Sequence, residues 1–364
     1  TSPASPIVLL RRRPGDGLAD GVAPGNPLIG VMLPYSPLHH LLFAPVPGSD
    51  RVPTDVLVLT SGNLSDEPIC TDDDDASTRL AALADGFLVH DRPIAVPCDD
   101  SVVRVIDGVV QPVRRSRGYA PISIDLPIDV AATLAVGAEV KNTFCVAEGR
   151  RAWVSAHVGD MGSLETLQAF ERSVADLERM YRVEPAVVGV DHHEGYSTRQ
   201  WARRAVPAER LVGVQHHHAH VASLMAEHGL DGRTPVIGVA FDGTGAGRAD
   251  DGSPEIWGGE VLLADYRGFR RIGRLHPLPL PGGDAAVRNP CRVAVADLAA
   301  LGVDPSGTRA FGACAVEERD VVLRQVERRT GCPPTTSMGR LFDAVASILG
   351  VRHRVEYEAQ AAIE

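Results

Sequence analysis

The sequence predicts an α/β protein built from two domains, and three observations support this prediction. The chain has 364 residues, which is more than a single hydrophobic core usually organises. Short apolar runs alternate with turn clusters and with segments of helical spacing. A proline-rich stretch at 119–132, "YAPISIDLPIDVAA", joins two differently patterned halves. We therefore predict a first domain at 1–122, a linker at 123–132 and a second domain at 133–364.

The first half is predicted to be mixed α/β, with much sheet and few long helices. Its apolar runs are short, as in "LIGVML", "DVLVLTSGN", "GFLVHDRPI" and "SVVRVIDGVVQPVRR". Runs of this length bounded by Gly, Pro, Asn and Asp are typical of strands.

The second half is predicted to begin with three short strands in "TLAVGAEVKNTFCVAEGRRAWVSAH", with turns at Gly137 and at Gly149-Arg150. A helix is predicted from about Ser163, because apolar residues recur every three or four positions as far as Tyr181. The strands "AVVGVD" and "LVGVQ" follow, with a helical stretch between them. A second strand-and-turn block is predicted to begin at "PVIGVAFDGTGAG".

Composition and charge argue against several classes of function. Net charge is −11, from 47 acidic and 36 basic residues, so neither a nucleic-acid partner nor an anionic membrane is expected. No run of about 18 apolar residues occurs, so no membrane span is predicted. The six cysteines are scattered without a Cys-x-x-Cys pair, which predicts reduced thiols and a cytoplasmic location. The chain begins at Thr1 rather than at Met, and we expect it to be a fragment.

A histidine-rich segment, "VGVQHHHAH", follows the strand "LVGVQ" and is predicted to open a helix over His216–Glu227 that ends near Gly229. Its predicted buried residues are Val214, Val221, Leu224 and Met225.

His216 and His220 lie four positions apart, so they share one face of that helix, as two metal ligands on one helix must. Asp242, predicted to end the strand "VIGVAFD" in a parallel sheet, is the candidate third ligand. Two imidazoles and a carboxylate suit zinc or iron rather than calcium or magnesium. His217 and His218 are predicted to point elsewhere. The alternative is a chance run, or core histidines with satisfied hydrogen bonds.

Two apolar strands run into similar Gly-containing polar turns, "AVGAEVKNT" and "VAFDGTGAG", which form a weak internal repeat. Backbone N–H groups of such turns can cradle phosphates from two sides of a cleft. The alternative is that each turn only closes a hairpin. Lys141, in the first turn, is the only lysine among the 36 basic residues.

Many separate motifs, in order along the chain, resemble the hydrogenase maturation carbamoyltransferase (HypF) family. The first half contains "VMLPYSPLHHLL", "LTSGNLSDEPI", "CDDSVVR" and "RRSRGYAP". The second half contains "GAEVKNTFC", "VQHHHAHVAS", "AFDGTGAG", "WGGE", "PLPGGDAAVRNPCR" and "GRLFDAVASILG". The resemblance implies a YrdC-like mixed α/β domain followed by an ATPase-like domain of the actin/Hsp70 (ASKHA) type.

The resemblance also implies an activity. Carbamoyl phosphate and ATP would form carbamoyl adenylate, and the carbamoyl group would pass to the C-terminal cysteine thiol of the partner HypE. That group becomes the cyanide ligand of nickel-iron hydrogenase. The implied cofactors are ATP and a divalent metal, zinc or iron.

The resemblance assigns roles to individual residues. A YrdC-like nucleotide pocket would be lined by Ser61, Asn63, Ser101, Arg114 and Arg117. Two phosphate loops would be formed by Lys141, Asn142 and Thr143, with Lys141 as a catalytic residue, and by Asp242, Gly243, Thr244 and Gly245. Arg340 and Asp343 would lie near the adenosine, and the metal ligands would be His216, His220 and Asp242.

Departures from the family pattern and rival functions remain open. Ala246 stands where the family usually has Tyr, and "DHHEGYST" keeps only Asp191 and Tyr196 of a family motif. The family's acylphosphatase-like and zinc-finger segments and its last metal-binding aspartate do not occur, so we expect the chain alone to be inactive. The rivals are an O-carbamoyltransferase acting on a small-molecule hydroxyl, a non-catalytic metal-binding module of the same fold, and a sugar-kinase-like ATPase.

Overall fold

The structure is a computed structural model that describes residues 2–13, 15, 17–24, 26–50, 52–64 and 67–364. Ser65 and Asp66 of the motif "LTSGNLSDEPI" therefore lie outside the described residues. The chain divides into two compact units. The first lies within 1–125, 129–190 and 195–212, and the second comprises 126–128, 191–194 and 213–364. The domain boundary at 123–132 stays a prediction.

One sheet of the first unit is built from the first half of the sequence. Its strands are β1 (Ile7–Arg11), β2 (Leu28–Val31), β3 (Val102–Ile106) and β4 (Val109–Arg114), in the order β2-β1-β3-β4. Two short helices accompany it, α1 (Pro37–Leu42) and α2 (Asp73–Arg79). β1 is parallel to β3, and the other pairs are antiparallel. The predicted mixed α/β pattern with few long helices is confirmed for the described residues. The strand prediction is right for "LIGVML" and "SVVRVIDGVVQPVRR" but wrong for "DVLVLTSGN" and "GFLVHDRPI", which form no strand.

A second sheet comes from the middle of the chain. Its strands are β5 (Ser123–Ala135), β6 (Cys145–Val154), β7 (Val187–Asp191) and β8 (Leu211–Val214), in the order β6-β5-β7-β8. Its helices are α3 (Leu164–Tyr181) and α4 (Ser197–Ala205). The predicted helix from Ser163 is confirmed as α3, and the Ser163 side chain caps it. Phe170, Val174 and Leu177 of α3 are buried in the core against this sheet.

One strand prediction in this region is wrong. β6 runs straight through Gly149-Arg150, where a turn was expected, and Gly149 takes its positive φ of 59° inside the strand. Residues 123–132, predicted as a linker, lie within β5. The pairing register of β5 with β6 breaks between Asp125 and Val130, so Pro127, which has no N–H to donate, sits where the ladder is interrupted.

The second unit combines a five-stranded sheet with helices. The strands are β9 (Val236–Arg248), β10 (Pro254–Ala264), β11 (Phe269–Arg274), β12 (Leu278–Pro279) and β13 (Pro334–Thr335). The path is β11-β10-β13-β12, with β9 paired to β10. The helices are α5 (His216–Glu227), α6 (Asp284–Arg288), α7 (Pro290–Ala300), α8 (Arg309–Ala313), α9 (Val316–Arg328), α10 (Met338–Leu349) and α11 (Gln360–Ile363). Among the described residues, none of the helices is long and apolar enough to span a membrane.

Helix α5 has the bounds that the sequence predicts. Val221 and Met225 are buried against β10, as expected, but Leu224 is 56% exposed, so its predicted burial is wrong. Gly229 follows the helix with a φ of +68°, a left-handed conformation that glycine adopts without a Cβ clash.

Candidate functional site

Strand β9 positions Asp242 by a bulge rather than by a turn. The predictions that β9 ends at Asp242 and lies in a parallel sheet are wrong, because β9 continues to Arg248 and pairs antiparallel with β10. Gly245 lies opposite Trp257 and Phe241 opposite Gly259, so three residues of β9 face one residue of β10. Such a bulge bends the strand and redirects a side chain.

Gly258 is the residue opposite this bulge, and only glycine fits there. A Cβ on Gly258 would lie 2.7 Å from the carbonyl oxygen of Asp242 and 2.8 Å from Cα of Ser337. The dipeptide Gly258-Gly259 was therefore a sequence signal for a close backbone approach, which a strand-and-turn interpretation did not use.

Helix α5 brings two histidines to the Asp242 carboxylate. Nε2 of His216 lies 3.2 Å from Oδ2 of Asp242, and Nε2 of His220 lies 3.4 Å from the same oxygen. The three ligand atoms all lie within 4.8 Å of one another. The structure thus brings together the three predicted metal ligands, whose role stays a prediction.

The donor atoms fit a divalent metal ion. An ion bound tetrahedrally at about 2.0–2.2 Å separates its ligand atoms by roughly 3.3–3.5 Å, and the two distances to Asp242 are close to that separation. Oδ2 of Asp242 is buried and has no hydrogen-bond partner among the described residues. Two imidazole nitrogens around such an oxygen suit zinc or iron.

Burial and contacts with neighbouring charged groups shift the pKa values of the side chains in this cluster. The Asp191 carboxylate, with its hydrogen bond to His216, and then Asp242 raise the pKa of His216 to about 9. Burial alone would raise the pKa of Asp242, but the contacts with His216 and His220 and the N–H of Gly243 outweigh it and lower that pKa. Burial lowers the pKa of His217 to about 4, so this side chain is neutral at pH 7.

The other two histidines of the segment differ from each other. His218 points away from the cluster, as predicted: its Nε2 lies 2.7 Å from the carbonyl oxygen of Asp265. The same prediction is wrong for His217, which is fully buried and brings its Nε2 to 3.6 Å from Oδ2 of Asp242. Consecutive side chains on a helix project about 100° apart, so His216 and His217 can approach the Asp242 carboxylate from different sides.

A cavity of about 500 Å³ in the first unit contains several of the predicted nucleotide-binding residues. Ser61, Asn63 and Arg114 line it together with Lys141. His157, which sequence reasoning missed, also lines it, and burial together with the positive charge of Arg114 lowers the pKa of that imidazole.

The loop that carries Lys141 is held in shape by its neighbours. The Lys141 N–H donates to Oδ1 of Asp160 at 2.5 Å, and the residue has a φ of 52°. Asn142 is buried, and its amide donates to the carbonyl oxygens of Val136 and Ala138. A Cβ on Gly137 would lie 2.1 Å from the carbonyl oxygen of Thr143, so only glycine allows this turn.

Two predicted pocket residues have structural partners instead. Ser101 is fully buried, donates to the carbonyl oxygen of Arg117 and accepts from the N–H of Ser116. The Arg117 guanidinium forms an ion pair with Asp100 at 2.7 Å and lies over the ring of Tyr35. Neither residue is among the described residues that line the 500 Å³ cavity.

Arg340 and Asp343 lie in the first turns of α10 and form a buried ion pair at 2.8 Å. Burial raises the pKa of Asp343, and the Arg340 charge partly offsets this. Ser337 caps α10 by accepting from the N–H of Arg340, and its hydroxyl donates to the carbonyl oxygen of Gly243 at 2.6 Å. The start of α10 is therefore joined to the bulge that positions Asp242.

Asp191, which the sequence marked only as a kept residue of a family motif and not as a site residue, also lies at the site. It ends β7, and its Oδ2 lies 2.8 Å from Nδ1 of His216. A carboxylate directly after the buried strand "AVVGVD" was the available signal, and the same reasoning that selected Asp242 could have selected it.

Comparisons with known proteins cover almost the whole chain. Residues 1–116 match the Sua5/YciO/YrdC family model, described as telomere recombination. Residues 129–227 match the HypF Kae1-like domain, and residues 238–364 match the second subdomain of the carbamoyltransferase Kae1-like domain. The predicted fold class, a YrdC-like domain followed by an ASKHA-type domain, is confirmed.

Named relatives and solved structures agree with these matches. Carbamoyltransferase HypF2 of Cupriavidus necator is 46% identical over 384 residues, which cover 100% of this chain and 46% of the relative. Carbamoyltransferase HypF of Synechocystis sp. is 42% identical, covering 100% of this chain and 48% of the relative. A crystal structure of full-length HypF in a phosphate- and nucleotide-bound form matches with a TM-score of 0.86 at 41% identity, covering 99% of this chain and 54% of that one. The chain spans about half the length of the curated relatives it matches.

Proposed function

Because the chain belongs to the HypF carbamoyltransferase family, we propose that it forms part of an ATP-dependent carbamoyltransferase of nickel-iron hydrogenase maturation. In the first step, carbamoyl phosphate is hydrolysed by water to carbamate and inorganic phosphate. A carbamate oxygen then attacks the α-phosphorus of ATP, and pyrophosphate leaves. In the second step the thiolate of the C-terminal cysteine of HypE attacks the carbamoyl carbon, and AMP leaves. Adenylation is needed because carbamate is a poor electrophile until its oxygen is joined to a good leaving group.

The adenylation step is proposed for the cavity of the first unit. Its volume of about 500 Å³ suits a nucleotide-sized ligand. The Arg114 guanidinium can bind phosphate oxygens through two N–H groups, and Lys141 adds a compact positive charge on the same cavity wall. Ser61 and Asn63 can donate or accept hydrogen bonds there.

The observation that carries the carbamoyl-transfer proposal is the convergence of His216, His220 and Asp242. We propose that these three residues hold zinc or iron, which when bound supplies a Lewis acid for the carbamoyl adenylate or its phosphate. The glycine-rich bulge at Gly243–Gly245 lies beside them, and its Gly243 N–H donates to Oδ1 of Asp242. Arg340 and Asp343 are proposed to support the adenosine side of this site.

The proposed setting is the cytoplasm. All six cysteines are free thiols, two of them buried, which suits a reducing compartment. The net charge of −11 agrees with a partner protein rather than a nucleic acid.

The test uses a chimera in which this chain replaces the matching half of HypF2 of Cupriavidus necator. Pyrophosphate release reports adenylation, and a mass increase on a HypE C-terminal peptide reports transfer. We expect Arg114→Ala to reduce pyrophosphate release. We expect His216→Ala to abolish transfer while pyrophosphate release continues.

His218→Ala is the matched control, because His218 lies on the same helix but faces Asp265 instead of Asp242. The chimera with this control should transfer at the unmodified rate. Transfer by the His216→Ala chimera at that same rate would contradict the proposed role of the histidine cluster.

A further inference from the structure

Asp191 engages His216 from the side opposite to Asp242. Oδ2 of Asp191 lies 2.8 Å from Nδ1 of His216, and Oδ1 accepts from the N–H of His193 at 2.7 Å. The Asp191 side chain is only 9% exposed. A carboxylate in these contacts can only accept hydrogen bonds, so Nδ1 of His216 carries the proton. In the neutral imidazole the lone pair then lies on Nε2, the atom that approaches Asp242.

His217 has the opposite tautomer, and Gln215 determines it. Oε1 of Gln215 accepts from the N–H of His218 at 2.9 Å, which fixes the orientation of the amide. The amide nitrogen therefore donates, to the carbonyl oxygen of Ala246 and to Nδ1 of His217 at 3.1 Å. Since Nδ1 of His217 accepts, the ring proton lies on Nε2, which is 3.6 Å from Oδ2 of Asp242, an electrostatic contact longer than a hydrogen bond.

Gly245 provides the space for the His217 ring. A Cβ on Gly245 would lie 2.4 Å from Cε1 of His217 and 3.2 Å from Cβ of His216. This glycine of the motif "DGTGAG" thus has a packing role that is independent of any phosphate.

We propose that Asp191 and His217 are positioning residues that set two of the three metal ligands before the ion arrives. Asp191 presents the lone pair of His216 to the ion. His217 directs its N–H at the Asp242 carboxylate and restrains that side chain without being a ligand. This inference rests on the proposed metal site, and partners of this kind typically change metal affinity by about 10- to 100-fold.

The experiment measures zinc affinity of the chain itself by competition with a chelating indicator. We expect Asp191→Ala and His217→Phe each to weaken zinc binding by about 10- to 100-fold while the bound stoichiometry stays unchanged. Asp191→Asn keeps an oxygen acceptor and should recover part of the lost affinity. His218→Gln, on the same helix but facing away, is the matched control and should bind as the unmodified chain does.

A spectroscopic measurement separates positioning from a general loss of structure. With cobalt in place of zinc, the visible absorption band should shift in Asp191→Ala, while thermal unfolding of the metal-free variants stays within a few degrees of the unmodified chain. Unchanged zinc affinity in both Asp191→Ala and His217→Phe would overturn this inference. Unchanged zinc affinity in His216→Ala would instead overturn the metal site itself, so the two failures are distinguishable.

Discussion

Asp297 lies on the buried helix α7, and its ionisation should strongly affect the stability of the second unit. Its side chain is 7% exposed, and its Oδ1 has no hydrogen-bond partner in the described part of the chain. It borders a cavity of about 200 Å³. Burial raises the pKa of this carboxyl from 3.8 to about 7. The folded protein therefore keeps Asp297 protonated at pH values where the unfolded chain has lost that proton.

The direction of the pH effect follows from this difference. Below about pH 4 both states hold the proton, and Asp297 gives the free energy of unfolding no pH dependence. Between about pH 4 and pH 7 only the folded state holds it, so stability falls as pH rises. Above pH 7 both states are ionised and the loss is complete. A pKa that rises from 3.8 to about 7 corresponds to roughly 4 kcal/mol, at about 1.4 kcal/mol for each pH unit.

Asp297→Asn removes this ionisation and keeps the shape of the side chain. The variant should gain stability over the unmodified chain as pH rises, by about 3 kcal/mol between about pH 5 and pH 8, since the free energy changes by about 1.4 kcal/mol per unit up to the folded-state pKa. Any cost of burying the uncharged amide is the same at both pH values, so it cancels from the comparison.

Urea unfolding of both proteins at the two pH values measures this gain. Asp320→Asn is the control, because Asp320 lies on the exposed face of α9 in the same unit. The reasoning is refuted if the stability difference between Asp297→Asn and the unmodified chain is the same at both pH values.

Three further predictions concern the site. Lys141→Arg should impair turnover in the chimera, because a planar guanidinium with its donors in a fixed fork would replace a compact ammonium on the cavity wall; a pyrophosphate-release rate equal to that of the unmodified chimera would refute this. His220→Ala should lower the bound zinc, measured by plasma mass spectrometry, at least tenfold, because it removes one of three ligands; retention of the metal would exclude His220 as a ligand. Gly258→Ala should destabilise the chain by about 2 kcal/mol or more in thermal unfolding and weaken zinc binding, because its Cβ would overlap backbone atoms. Gly243→Ala, whose Cβ would meet nothing within 4 Å, is its control, and equal effects of the two would contradict the explanation.

Local patterns predicted the elements that depend on local periodicity. Helix α5 has its predicted bounds because its spacing and its cap, the Gln215 side chain, lie within a few residues of each other. The shared face of His216 and His220 follows from helix geometry alone. These features needed no knowledge of what the helix packs against.

Features that depend on distant pairing could not be predicted in this way. The bulge at Asp242 exists because Gly258 and Ser337 lie against it, and both are far along the chain. The strand through 123–132 pairs with β6 even though it contains Pro127, which cannot donate to the sheet ladder. The contact of Asp191 with His216 joins residues 25 positions apart, so the sequence could mark Asp191 at the end of a buried strand but not this contact.

The hydroxyl of Ser337 makes two hydrogen bonds. It accepts from the N–H of Arg340, which caps α10, and it donates to the carbonyl oxygen of Gly243. The Ser337 hydroxyl oxygen therefore connects the helix that carries Arg340 to the strand that carries Asp242. If adenosine binds beside α10 as proposed, a tilt of that helix would be passed to the carboxylate that faces the histidines. Nucleotide and metal would then act as allosteric effectors of each other, and thermodynamic linkage requires each to change the affinity for the other by the same factor.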